Sequence, residues 1–321
     1  DADAHHLIKA IKKQYVCTVD WEAERYCGIA FKWDYKSRIR KVHLTMPNAV
    51  QKALLRFNHV KPTKPQYQPY PHQPIVYGAK AQYEPQPVES PKLNKAETKF
   101  IQEVTGVFLF LARAINGRLL PALSALASEQ ANPTEETMRK CKLFLDCMAH
   151  EPEMILTYHA SDLVLAVQSD ASYLSESGSR SRVGGHFYMA GHEDIPLNNG
   201  AVLNISGILK HVVSSAAEAE TGGLFINVKA AIPIRQTLIE MGHPQPPTPM
   251  QTDNSTAHAL ITNKIRPKAL KSMDMRFNFL KCRQAQEQFR FYWAPGKWNL
   301  ADYFTKHHAP SHHRNTRAIY L

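Results

Sequence analysis

Cysteine is scarce in this chain and follows no pattern. Five occur among 321 residues, Cys17, Cys27, Cys141, Cys147 and Cys282, an odd number with no C-x-x-C pair. That argues against a disulfide framework or a cysteine-based zinc site and fits a reducing compartment. Long apolar runs are missing too. The longest, such as "VFLFLA", fall far short of the roughly 20 residues that span a bilayer, and no signal-peptide pattern is visible. Acidic residues are outnumbered: 28 Asp and Glu against 39 Lys and Arg give a net charge of +11. Such a balance favours a polyanionic partner, nucleic acid before membrane, although charge alone leaves a generically basic protein equally open. Apolar residues make up 44% of the chain, enough for sizeable cores. The first residue is Asp1 rather than Met, which reads as a piece of something longer.

The pattern along the chain divides it. In residues 1–60, "HHLIKAIKKQY" has helical spacing, with Leu7, Ile8, Ile11 and Tyr15 on one stripe. "RYCGIAFKWDY" and "IRKVHLTM" read as paired strands, and "NAVQKALLRFNHV" returns to helix. Residues 61–92 form a linker, since eight of the 21 prolines lie between Lys61 and Pro91. Residues 93–153 read as helical. There "ANPTEETMRKCKLFLDCMAH" carries a start signal, with Asn132 as cap, Pro133 at the first helical position, and Glu135 and Glu136 near the positive end of the dipole. From 154 to 310 the order is three strands, a helix from about Ala216 to Met241 with a break at Pro233, then alternating strands and helices. "MILTYHASDLVLAVQSDASY" is the first of those strands. Three antiparallel strands followed by β-α units imply one mixed sheet with helices packed on it, an α/β fold. Residues 311–321 read as a basic tail.

One carboxylate needs explaining. Asp170 lies where the apolar run "VLAVQS" gives way to a polar loop, and aspartate is a poor strand former whose charge needs a partner there. Glu220, in the first long helix, Asp253, closing the fourth strand, and Asp302, opening the final helix, fall at comparable places, far enough apart that only tertiary structure could gather them. Each has an ordinary alternative: a turn or cap for Asp170 and Asp253, a favourable helix N-terminus for Asp302, a solvated face for Glu220. In "SSAAEAE", Ser215 and Glu218 fit a capping box, which gives Glu218 a structural role. Glu220 lies about 200° further round the helix and is assigned to the site.

Six motifs, "SDASYLSE", "SRSRVGGHF", "SSAAEAE", "QTDNSTA", "DMRF" and "NLADYFTKHH", resemble the ribonuclease H domain of copia-type retrotransposon polyproteins. Upstream, "YCGIAFKWDY", "LTMPNAVQKALLRF" and "ASEQANPTEET" resemble the part of the same polyprotein that follows the polymerase catalytic motif. The resemblance spans nearly the whole chain. It implies a ribonuclease H-like mixed sheet with flanking helices, preceded by a helical connection segment and a small α/β piece of a reverse transcriptase. It also implies a catalytic and metal-binding tetrad of Asp170, Glu220, Asp253 and Asp302. Two Mg²⁺ ions, with Mn²⁺ able to stand in, would sit about 4 Å apart there. The implied substrate is the RNA strand of an RNA–DNA hybrid. The implied partners are the rest of the polyprotein, its polymerase and integrase parts, with no membrane. The implied location is cytoplasmic, in a virus-like particle, or nuclear. Arg180 and Arg182 are candidates to grip phosphates, a solvated loop being the alternative, and Asn254 and Lys297 are further nucleic-acid contacts.

The departures also bear on function. No two aspartates are adjacent, so the Tyr-x-Asp-Asp polymerase motif is absent from this chain. Gly222 and Gly223 follow Glu220 and should cost a helix about 1–2 kcal/mol against alanine. That supports an alternative reading, a catalytically decayed remnant that binds hybrid or RNA. "WAPGKWN", before Asp302, lacks the histidine that such loops often carry, which bears on turnover. "HHAPSHHR", with His307, His308, His312 and His313, suggests a metal site less well than it suggests the basic tail.

Overall fold

The computed structural model describes residues 2–72, 89–176, 180–210, 213–263 and 274–321. Residues 73–88 of the expected linker lie outside that set. The fold is mixed α/β and contains two sheets. The first is antiparallel, in the order β1 (Arg25–Tyr26), β2 (Ile29–Asp34), β3 (Lys41–Thr45) and β4 (Leu156–His159). Before it, α1 (Ala2–Lys12) buries none of its residues, so its apolar stripe remains open. After β3 come α2 (Ala49–Arg56), α3 (Lys95–Ala114), α4 (Leu120–Glu129) and α5 (Glu135–His150). Their apolar faces meet β3 and β4 in one core, where Phe108 and Phe144 pack edge to face at 5.1 Å.

Local chemistry sets these helix starts. Asn94 caps α3 in a reciprocal box with Glu97. The cap of α5 is Thr134, not Asn132: Thr134 is extended and exchanges hydrogen bonds with Thr137, while the Pro133 carbonyl accepts from Leu93 N–H.

The second sheet has the order β7-β6-β5-β8-β9. Its strands are β5 (Val164–Glu176), β6 (Arg180–Ala190), β7 (Ala201–Ile208), β8 (Thr248–Thr252) and β9 (Phe289–Trp293). The pairs β5–β6 and β6–β7 are antiparallel, and β5–β8 and β8–β9 are parallel. This is the mixed sheet expected, and helices flank it: α6 (Ala216–Glu240), α7 (Ser255–Ile261) and α8 (Asp274–Ala285). Leu165, Val167, Phe187, Leu224, Val228, Met250, Leu280 and Phe291 form its core.

Three expectations change. "MILTYHASDLVLAVQSDASY" is two strands in different sheets, since Leu156–His159 pairs with β3 and Val164–Glu176 with β6 and β8. Pairing thus crosses the boundary expected at 153/154. The α6 helix continues unbroken through Pro233. The expected tail is largely a helix, α9 (Pro310–Tyr320), which buries His313 and Tyr320. It docks because the Arg118 guanidinium donates to the His313 carbonyl at 2.5 Å and Arg317 pairs with Glu151 at 2.8 Å. Among the described residues no helix is long and apolar enough to cross a membrane.

Candidate metal centre

Three of the four expected acids meet. Asp170 lies on β5, Glu220 in the second turn of α6, and Asp253 one residue past β8. Each offers a carboxylate oxygen to a group whose atoms all lie within 4.8 Å of one another. Among the described residues no other group of three or more metal-ligating side chains comes so close. Asp170 and Glu220 are 4% and 5% exposed, and Asp253 is half-buried.

The strand order explains the convergence. β5 and β8 are parallel neighbours, so Asp170 and Asp253 emerge toward the same end of the sheet, and α6 crosses the β5 face. That crossing gives Gly223 a reason. A Cβ there would stand 3.3 Å from both Ala171 Cβ and the Asp170 carbonyl, so the glycine lets the helix come close enough to aim Glu220. Glu218 is occupied elsewhere. Ser215 Oγ accepts from Glu218 N–H at 3.2 Å, and the Glu218 carboxylate accepts from Ser214 N–H at 2.7 Å. The carboxylate therefore reaches Ser214 rather than the cap residue itself.

Asp302 stands beside the group rather than in it. It lies in a short 3₁₀ helix, Leu300–Phe304, and its carboxylate pairs with the Lys306 ammonium. A buried polar network fixes this segment to β5. Asn299 Nδ2 donates to the Ser169 carbonyl at 2.9 Å, and Leu300 N–H to Gln168 Oε1 at 2.8 Å. Gly184, opposite Asp170 on β6, permits the approach, because a Cβ there would lie 2.4 Å from the Ala301 carbonyl oxygen. Thr305 Oγ1 then donates to Asp170 Oδ2. Thr305, Lys306, Gln168 and Asn299 were not singled out from the sequence. Only Lys306, a cation four residues after Asp302, left a readable signal there.

Crowding the acids out of water disfavours their charged forms. Burial, and then the Asp302 charge, push the Asp170 carboxyl up to about 7. Burial, then Asp170 and Asp253, push Glu220 well above the usual carboxylate range, and burial raises Asp253. Glu220 Oε1 accepts from Ala171 N–H at 3.2 Å, but its Oε2 is buried with no hydrogen-bond partner. An all-oxygen set, mutual repulsion and an orphaned buried oxygen together fit a hard divalent cation.

The other candidates separate. Arg182 is 0% exposed, bonded to Glu176 at 2.7 Å and to Ser206 at 3.2 Å, so it cannot reach a phosphate at the surface. Arg180 is exposed at the start of β6. Asn254 Oδ1 caps α7 by accepting from Ala257 N–H at 2.9 Å. Lys297 is exposed, with its ammonium 4.7 Å over the Trp298 ring. The histidines pack rather than converge on an ion: His308 and His312 stack at 4.0 Å, and His313 bonds the Tyr303 hydroxyl.

No protein-family model matches the chain, and no curated protein matches it. Some solved structures do. LC11-RNase H1, isolated from compost by a metagenomic approach, is 11% identical, with 44% of this chain and 92% of that chain covered and a TM-score of 0.31. The N-terminal RNase H domain of Rv2228c from Mycobacterium tuberculosis is 13% identical, with 48% and 98% covered and a TM-score of 0.33. LC11-RNase H1 in complex with RNA/DNA hybrid is 12% identical, with 43% and 91% covered and a TM-score of 0.32.

Proposed function

We propose that this chain is a divalent-cation-dependent endonuclease that cuts the RNA strand of RNA–DNA hybrids. It would be the ribonuclease H part of a copia-type retrotransposon polyprotein acting in reverse transcription. The observation that carries the reading is the convergence of Asp170, Glu220 and Asp253 within 4.8 Å, with one Glu220 oxygen buried and unpartnered. Asp302 completes the proposed set, with Mg²⁺ as the ion and Mn²⁺ as its substitute. When bound, such cations supply an activated water and stabilise the leaving 3′ oxygen of the cut phosphodiester.

The chain's own contribution is placement. Strands β5 and β8 and helix α6 hold three carboxylates on rigid elements, which favours precise ligand geometry. Gln168 and Asn299 hold the Asp302 segment against β5, and Lys306 restrains the Asp302 carboxylate. Thr305 orients Asp170 through its hydroxyl. Arg180 and Lys297, both exposed, are the proposed phosphate contacts. The choice of RNA over DNA would rest on the 2′-hydroxyl and the shape of the hybrid. The rest of the polyprotein, its polymerase and integrase parts, is the proposed partner.

The test is a gel assay of end-labelled hybrid, hybrid-matched duplex DNA and single-stranded RNA, with Mg²⁺, Mn²⁺ or EDTA. Cleavage confined to the RNA of the hybrid, and lost in EDTA, is expected. Intact hybrid under both metals, with binding retained, would leave a binding remnant instead.

A further inference from the structure

The hairpin of β2 and β3 carries a feature that the proposed nuclease site does not use. Phe31, Trp33 and Tyr35 alternate along β2 and just past its end, so they share one face. Their rings form a ladder. Phe31 and Trp33 lie 6.3 Å apart at 12°, and Trp33 and Tyr35 lie 5.8 Å apart at 6°. Phe31 rests on the first core, but Trp33 and Tyr35 are 42% and 65% exposed. The Trp33 indole N–H donates to the Ala23 carbonyl at 3.1 Å, which holds the ring plane in place. Two large flat rings thus stand parallel in water.

The turn beyond them is basic. "KWDYKSRIRK", Lys32 to Lys41, has five cations and one acid. Lys36, Arg38 and Arg40 are exposed. The acid, Asp34, is taken up by the turn: it accepts from Lys36 N–H and Ser37 N–H at 3.0 Å and from the Ser37 hydroxyl at 2.6 Å, and lies 3.8 Å from Lys41 Nζ. What faces outward is aromatic faces beside positive charge.

We propose that this hairpin binds single-stranded nucleic acid, with unpaired bases stacking on Trp33 and Tyr35 and phosphates drawn to Lys36, Arg38 and Arg40. Every base has a π-face that can stack on an aromatic ring, and a cationic groove tracks the backbone. A duplex hides those faces between its own base pairs. An acidic protein would satisfy the cations but would not need two parallel exposed rings. The site lies on the first sheet and shares no residue with the acids on the second, so it stands or falls independently of the nuclease reading.

The experiment uses the full chain and a fluorescein-labelled 12-nucleotide oligo(dT), read by anisotropy at fixed salt, with a hybrid duplex of equal length as comparator. Tyr35→Ala and Trp33→Leu should each weaken oligo(dT) binding about tenfold, whereas Tyr35→Phe and Trp33→Tyr should stay within about twofold of the parent, because the ring is kept. Lys36→Glu with Arg38→Glu should weaken binding and flatten its salt dependence. Thermal melts report whether Trp33→Leu has disturbed the sheet. Tyr35→Ala, at a mostly exposed side chain, carries the test by itself if it has. Parent-like oligo(dT) binding by Tyr35→Ala, or an equal loss for the duplex, would overturn the proposal.

Discussion

Asp253 keeps more solvent contact than Asp170 or Glu220, so asparagine there changes charge with little change in packing. Asp253→Asn is expected to abolish hybrid cleavage while leaving hybrid binding equal or slightly tighter, since one negative charge facing the phosphates is gone. Single-turnover cleavage beside anisotropy checks both. The two glutamates of α6 should behave differently. Glu220→Gln should lose activity with an unchanged or raised Tm, because a desolvated charge is removed. Glu218→Gln should keep activity and lose at most about 1 kcal/mol, because glutamine can still accept from Ser214. Asp170 supplies a pH dependence. Its carboxyl is raised in the folded chain to about 7, so its contribution is fully present below the unfolded value near 4 and is lost as pH rises through 7. Without metal, the Tm difference between Asp170→Asn and the parent should therefore grow in favour of the variant from pH 5 to pH 8. Added Mg²⁺ or Mn²⁺ should raise the parent's Tm more at pH 8 than at pH 5.

At the scale of elements, α6 shows where propensity and packing disagree. Helix propensity gives Gly223→Ala a gain of about 1 kcal/mol. The neighbours a methyl would meet at 3.3 Å are Ala171 Cβ and the Asp170 carbonyl, both fixed to β5, so the expected result is a lower Tm and slower cleavage. A raised Tm with normal cleavage would show that the helix has room to spare. The same contrast marks what was legible in the sequence. Alternation and turn chemistry disclosed most of the strands and helices, and the spacing of Ser215, Glu218 and Glu220 separated the capping glutamate from the one that meets Asp170 and Asp253. Hidden were features that depend on pairing across the chain. Leu156–His159 looks continuous with the next strand because both runs are apolar, and only its bonds to β3 separate them. Arg182 looks like a loop cation, yet β6 begins at Arg180 and draws it in against Ser206 of β7. Gly223 looks like decay until its distance to β5 is known.

For the whole molecule, several contacts tie the two sheets together. Only residues 160–163 separate β4 from β5, Asn199 bonds both the N–H and the carbonyl of His159, and α9 anchors to Arg118 and Glu151. Despite two separate cores, unfolding should be a single cooperative transition, with calorimetry, far-UV circular dichroism and tryptophan emission coinciding. Two resolved transitions would mean that these contacts are too weak to couple the cores. The bond from Thr305 to Asp170, across 135 residues, also has a meaning in time. A ribosome adding about 5–20 residues per second needs roughly 7–27 s to travel from one to the other. Throughout that interval Asp170 lacks the segment that orients it, so a nascent chain carries the first acid of the cluster well before it carries the finished cluster.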